Sequence, residues 1–234
     1  MQIIFYILGL IYIMYISIES FGLLARYSGY YTKKFSVGLS IQNQVYSLNR
    51  LLGFLIAPLT GFASDLGADS KQLFILGLLG TFVGGFGLIV VYNNWHIISG
   101  IFVRTIKITA EQGYSLKTLV SLKRDELKKD KVSNIKYNYL FAQILTTGMA
   151  MPSVFILNIL ALRHPEFKST LLQMATLISG LGNLILNFYT MPLLAVSEVR
   201  DDSSTRDIYR SIFWGKIIGM IFLSPILISV AYYV

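Results

Sequence analysis

Arg50 is the side chain that most needs explaining in this 234-residue sequence. It lies within an apolar stretch, residues 36–60, that is long enough to cross a membrane. At ~1.5 Å per helical residue it sits about 20 Å beyond the start of that stretch, at or past the bilayer midplane. A charge there costs at least ~2.5–3.5 kcal/mol, so the guanidinium must face a partner, the bundle interior or water. Ser36, Ser40, Asn43, Ser47 and Arg50 recur at steps of 4, 3, 4 and 3, which is one stripe of a helix, and Gln42, Gln44 and Asn49 widen it. Thr176, Gly180, Asn183, Asn187 and Thr190 repeat the same steps without the charge, with Gln173 one turn earlier. Glu19 and Arg26 add an acid and a base two turns apart on the first apolar stretch. Together these groups would line a hydrated groove open sideways to lipid. They would equally serve hydrogen bonding between packed helices, with Glu19 neutralising Arg26 or Arg50.

Other chemistries find little support. Cysteine is absent and histidine occurs twice, which leaves no thiolate site and little for a metal or a His-based relay. His96 and His164 fall near different span ends and take no catalytic role. There is no His near a basic cluster, no Cys and no pair of carboxylates on one span, so an enzyme acting on lipid phosphates is disfavoured. The GxxxxGK[ST] phosphate loop is missing, and neither cofactor nor metal is expected.

The elements that must position these residues follow from composition. Apolar residues make up 54% of the chain and charged ones 14%, with a mean hydropathy of +0.61. A soluble domain carries about a quarter charged residues. Net charge is +8, yet its distribution points to a membrane rather than to nucleic acid. Six stretches reach the ~20 residues needed to span ~30 Å of hydrocarbon: 2–25, 36–60, 72–92, 138–161, 170–192 and 212–233. The first lacks a basic lead-in and a cleavage site and reads as a retained span. The third continues past Asn93–His96 into Ile97–Val103, as a longer tilted helix or an interfacial extension. Fifteen Lys and Arg residues fall in the loops after spans one, three and five, against three in the loops after spans two and four, with Arg50 and Lys216 inside spans two and six. The positive-inside rule then places both termini outside.

The expected fold is therefore an all-α integral membrane protein, a single polytopic domain over 1–234, N-out and C-out. A basic cytoplasmic loop, 104–137, joins its halves and reads either as an ordinary loop or as an amphipathic helix on the leaflet surface. Two groups of three spans leave room for a 3+3 inverted repeat, supported weakly by Pro58 with Asp65 ending span two and Pro192 with Glu198 ending span five. Glycines at 77, 80, 84, 85 and 87 suit close helix packing in span three, or a subunit contact.

One region resembles a known family. Glu19-Ser20, Ala25-Arg26-Tyr27-Ser28-Gly29-Tyr30-Tyr31-Thr32, Leu39-Ser40-Ile41-Gln42-Asn43, Asn49-Arg50, Ala57-Pro58-Leu59-Thr60-Gly61 and Asp65 resemble the N-terminal signature of the Amj family. These are bacterial lipid II flippases that act as an alternate to MurJ. The likeness covers about residues 19–65. It departs from the family pattern at Tyr31, at Ile41-Gln42 and at Asn49, where Arg, Leu-Phe and Ser are expected. The resemblance implies a multi-pass protein of the bacterial cytoplasmic membrane that moves lipid II, or another polyprenyl-linked sugar, for peptidoglycan and cell-wall synthesis and cell shape. On that reading Arg26, Arg50, Glu19, Asn43, Ser40, Ser47, Asn183 and Asn187 bind the substrate, and Asp65, Pro58 and Gly61 are structural or gating. Partners would be the glycolipid, membrane lipids and a second copy of the chain. The alternatives are a small ion-coupled transporter or a structural partner.

Overall fold

The computed structural model describes residues 2–113, 125, 127, 134–200 and 204–234. The first three spans are α1 (Gln2–Tyr31), α2 (Phe35–Asp65) and α3 (Ser70–Asn93). Two spans are interrupted: α5 (Tyr137–Ala150) with α6 (Ser153–Arg163), and α7 (Lys168–Ile185) with α8 (Met191–Arg200). The last combines α9 (Thr205–Ile218) and α10 (Ser224–Tyr233). Between α3 and α5 lies a separate helix, α4 (Trp95–Gln112). Among the described residues five helices are long and apolar enough to cross a membrane, six when the bent α5–α6 pair counts as one span.

Local chemistry explains the ends and the breaks. Asp69 Oδ1 accepts from Gln72 N at 2.7 Å and Gln72 Oε1 accepts from Asp69 N at 3.2 Å, a reciprocal cap that starts α3. The preceding turn needs the left-handed conformation of Gly67 (φ 87°). Met151-Pro152 interrupts the fourth span with a 41° bend, because Pro152 has no N–H to give the preceding turn. Span four was expected to run unbroken. Pro58, expected to end span two, instead lies inside α2, which continues to Asp65.

The third span keeps its expected extent of 72–92, and the longer tilted helix considered for it is overturned. It stops at Asn93, where Asn94 turns the chain and its Nδ2 donates to Val90 O at 2.9 Å. The apolar continuation becomes α4, which buries Ile106 against Ala25 and Ile41. The start of the expected 104–137 loop is thus helical to Gln112. The amphipathic reading rested largely on Leu116, Leu119 and Val120, which lie outside the described residues.

Glycines set the register between helices. A Cβ on Gly22 would stand 2.4 Å from the Tyr46 ring, and one on Gly29 would stand 2.7 Å from the Gly38 Cα. At Gly53 it would meet Tyr15 at 3.2 Å. These contacts run antiparallel, Tyr15–Gly53, Gly22–Tyr46 and Gly29–Gly38, and bind α1 to α2. On the other side of α1, Tyr12 fills the space over Gly80 and Ile16 that over Gly84, in parallel register with α3. Gly85 receives Ile221, and Gly77 meets Ile228 and Phe155, so α3 packs antiparallel to the last span. The core between them includes Leu8, Tyr12, Ile16, Leu24, Phe155, Tyr209 and Phe213. The glycine face of α3 is therefore spent inside the chain and does not serve the subunit contact considered for it.

Candidate functional site

Two charged residues seven apart on α1 meet two polar residues seven apart on α9. Arg26 donates through Nε to Glu198 Oε1 and through Nη2 to Glu198 Oε2, both at 2.9 Å. The Tyr209 hydroxyl donates to the same Oε1. Glu198 comes from α8 and is 6% exposed, Arg26 7%, so this is a buried, bidentate pair. Two turns along, Lys216 Nζ donates to Glu19 Oε1 at 2.6 Å. Lys216 is buried and Glu19 half-buried. Gly22 stands midway between Glu19 and Arg26. Its missing side chain lets the Tyr46 ring lie between the two ion pairs, where Gln42 Nε2 donates to the Tyr46 hydroxyl at 3.1 Å.

A cavity of about 130 Å³ opens beside the Glu19 pair. Tyr15 and Glu19 of α1, Tyr46, Asn49 and Arg50 of α2, Thr146 and Thr147 of α5, Ser179 of α7, and Leu186 and Asn187 line it. The α1–α2 register explains this grouping, since Tyr46 faces Gly22 and Gly53 faces Tyr15, which sets Asn49 and Arg50 level with Glu19. Asn49 is buried, and its Oδ1 has no hydrogen-bond partner. Arg50 is exposed along its edge, and among the described residues no carboxylate pairs with it. Asn187 sits on a π-helical turn, Leu186–Thr190, that joins α7 to α8. Such one-turn bulges recur at functional sites.

The cavity gathers Glu19, Arg50 and Asn187 from the sequence-predicted set, and leaves the others elsewhere. Asn43 and Ser47 are exposed and Ser40 half-buried on the outer side of α2, with Ser47 Oγ donating back to Asn43 O at 2.9 Å. Asn183 belongs to α7, but its side chain lies outside the described ones. The π turn breaks the expected stripe: Thr190 is buried while Asn187 is exposed. Arg26 is fully engaged by Glu198, and Glu19 pairs with Lys216 rather than with either arginine. Asp65 makes a loose exposed contact with Lys168 at 3.7 Å. Pro58 is exposed, and a Cβ on Gly61 would meet nothing within 4 Å, so neither touches the cavity.

Sequence reasoning missed Tyr15, Tyr46, Thr146, Thr147, Ser179 and Lys216. Lys216 carried a signal, because with Tyr209 it repeats the seven-residue spacing of Glu19 and Arg26. A second, apolar cavity of about 570 Å³ lies between α3 and α10, lined by Leu78, Phe82, Ile226 and Val230 among others. Among the described residues no group of three or more His, Asp or Glu side chains could hold a metal ion. Comparison with known protein families, with curated proteins and with solved structures finds no match.

Proposed function

We propose that this chain is a flippase that carries lipid II, the undecaprenyl-pyrophosphate-linked peptidoglycan precursor, from the inner to the outer leaflet of the bacterial cytoplasmic membrane. The observation that carries the reading is Arg50, a guanidinium without an acid partner among the described residues, on a polar cavity halfway along a membrane-length helix. A cavity of about 130 Å³ holds roughly four waters at ~30 Å³ each and falls below the ~300–1,000 Å³ of a pocket that encloses a whole ligand. It suits a phosphate rather than a sugar. The pyrophosphate would enter beside Arg50, since guanidinium pairs with phosphate through parallel hydrogen bonds. The sugar and peptide would travel along the exposed Asn43 and Ser47 on the outer side of α2, and the polyprenyl tail would stay in lipid. Each polar group carried bare through hydrocarbon costs several kcal/mol, and this path replaces part of its water.

With both termini outside, Arg26 and Glu198 lie toward the cytoplasmic end. A pyrophosphate of about two negative charges is driven outward by an inside-negative potential at ~2.3 kcal/mol per charge per 100 mV. ATP hydrolysis by this chain is not required. Six helices are few for so large a head group, so a homodimer with α2 polar faces opposed would complete the path; its mass in detergent tests that arrangement. The decisive experiment is rescue of a cell lacking every other lipid II flippase, read by extracellular accessibility of lipid II. Arg50→Ala should abolish rescue while the protein persists in the membrane, and full activity in that variant rejects the reading. The Glu19–Lys216 pair beside the cavity favours a second reading, a small ion-coupled transporter. Strict dependence on a sodium or proton gradient, with a water-soluble cargo, separates the two.

A further inference from the structure

The geometry points to Lys216 as the second cation of a diphosphate-binding site, covered in the resting protein by the Glu19 carboxylate, which occupies the position a phosphate oxygen would take. The inference rests on the cavity being an anion site, as proposed above, and adds a ligand and an occupant to it.

Three observations lead there. Glu19 lines the cavity, whereas Lys216 stands directly behind it, buried, with Nζ 2.6 Å from Glu19 Oε1. An anion beside Arg50 is therefore separated from a second full positive charge by one carboxylate. That carboxylate is weakly retained, for among the described residues the Lys216 ammonium is its only hydrogen-bond donor. Glu198 on the neighbouring rung accepts three such bonds. Finally, the cavity carries spare polar capacity that its own walls do not use: among the described residues the buried Asn49 Oδ1 has no partner and Arg50 has no acid.

A carboxylate brings one negative charge to Lys216, and a diphosphate about two. Charge-assisted hydrogen bonds strengthen with charge. Two anions cannot share so small a space without repulsion. As the diphosphate enters, Glu19 must swing away, and Lys216 passes from carboxylate to phosphate. Nothing covalent changes. The groups facing Glu19 are Lys216 of α9, Tyr15 of α1, and Tyr46 and Arg50 of α2. All but Lys216 are cavity residues, so Lys216 is the one cation that the exchange exposes. Glu19 thus acts as a resident mimic of the ligand, keeping the lysine charged and paired while the site is empty.

The test is binding by the full chain in detergent, measured by calorimetry with farnesyl pyrophosphate as the lipid-borne probe and inorganic pyrophosphate as the free one. Glu19→Gln removes the competitor and should tighten farnesyl pyrophosphate binding about ten-fold. Glu19→Asp keeps the charge but withdraws it by one methylene, and should tighten binding about three-fold in a protein whose fold is little disturbed. Glu19→Gln with Lys216→Gln should lose the gain. If neither Glu19 variant binds tighter, or if the double variant keeps the gain, Lys216 is not a ligand and the inference fails. Arg50→Gln serves the separate question. Loss of binding there leaves the anion site standing whatever Glu19 does, whereas unchanged binding overturns the site itself. Inorganic pyrophosphate binding as tightly as the prenyl compound identifies a soluble anion as the ligand and rejects a lipid one.

Discussion

At one end of the contact between α1 and α9, Glu198 receives two nitrogens of Arg26 and the hydroxyl of Tyr209. Seven residues along each helix, Glu19 receives, among the described residues, only the Lys216 ammonium and turns the rest of its surface to a cavity. Both rungs lie between α1 and α9, the first with Glu198 of α8 added and the second more open at its acid, and one is saturated while the other is not. A saturated ion pair joins α1, α8 and α9 and fixes where they sit. An unsaturated pair of the same charges beside a polar cavity, and next to a guanidinium with no acid partner among the described residues, is a place where something can be exchanged. The sequence ranks Arg26 and Arg50 together as costly charges, but the structure separates them by how fully each is answered.

The comparison is broken most decisively by attacking the saturated rung. Glu198→Ala strands Arg26 in the interior, and removing one partner of a buried pair costs about 3–5 kcal/mol. Thermal unfolding in detergent should show a large loss, and a small one would mean the rung does not hold the helices. Tyr209→Phe leaves the ion pair but deletes one bond to a charged group, with an expected loss of about 1.5–3 kcal/mol in the same assay. Gly80→Val forces atoms into the Tyr12 ring, and overpacking of this kind costs about 1–3 kcal/mol. Arg50→Gln should change stability by less than about 0.5 kcal/mol, as at other exposed positions, while prenyl-pyrophosphate binding is lost. Were Arg50→Gln to destabilise the fold as Glu198→Ala does, the contrast between the two rungs would disappear.

Hydropathy made the spans legible, because ~20 apolar residues in a row have few other uses. It marked the break at Asn93–His96, where polar residues interrupt the apolar run, but gave no warning of the others. Met151-Pro152 and the π turns at Leu186–Thr190 and Gly219–Leu223 interrupt apolar runs without altering their composition. The π turn also explains why an even 4, 3, 4, 3 stripe on span five fails to share one face, since a wider turn rotates Thr190 away from Asn187. The cavity was half legible. Glu19, Arg50 and Asn187 announce themselves as polar groups at membrane depth, but Thr146, Thr147 and Ser179 are residues that any packed helix carries. Pairing was the least legible. Glu19 to Lys216 and Arg26 to Glu198 span 197 and 172 positions, distances that only the fold closes.

Tyrosine seated on glycine has a consequence for motion. With Tyr46 over Gly22, Tyr15 beside Gly53 and Gly29 against Gly38, the first two helices are keyed like cogs and cannot slide or roll past one another without lifting an aromatic ring out of its seat. Any movement within this chain must therefore carry the hairpin as one rigid arm.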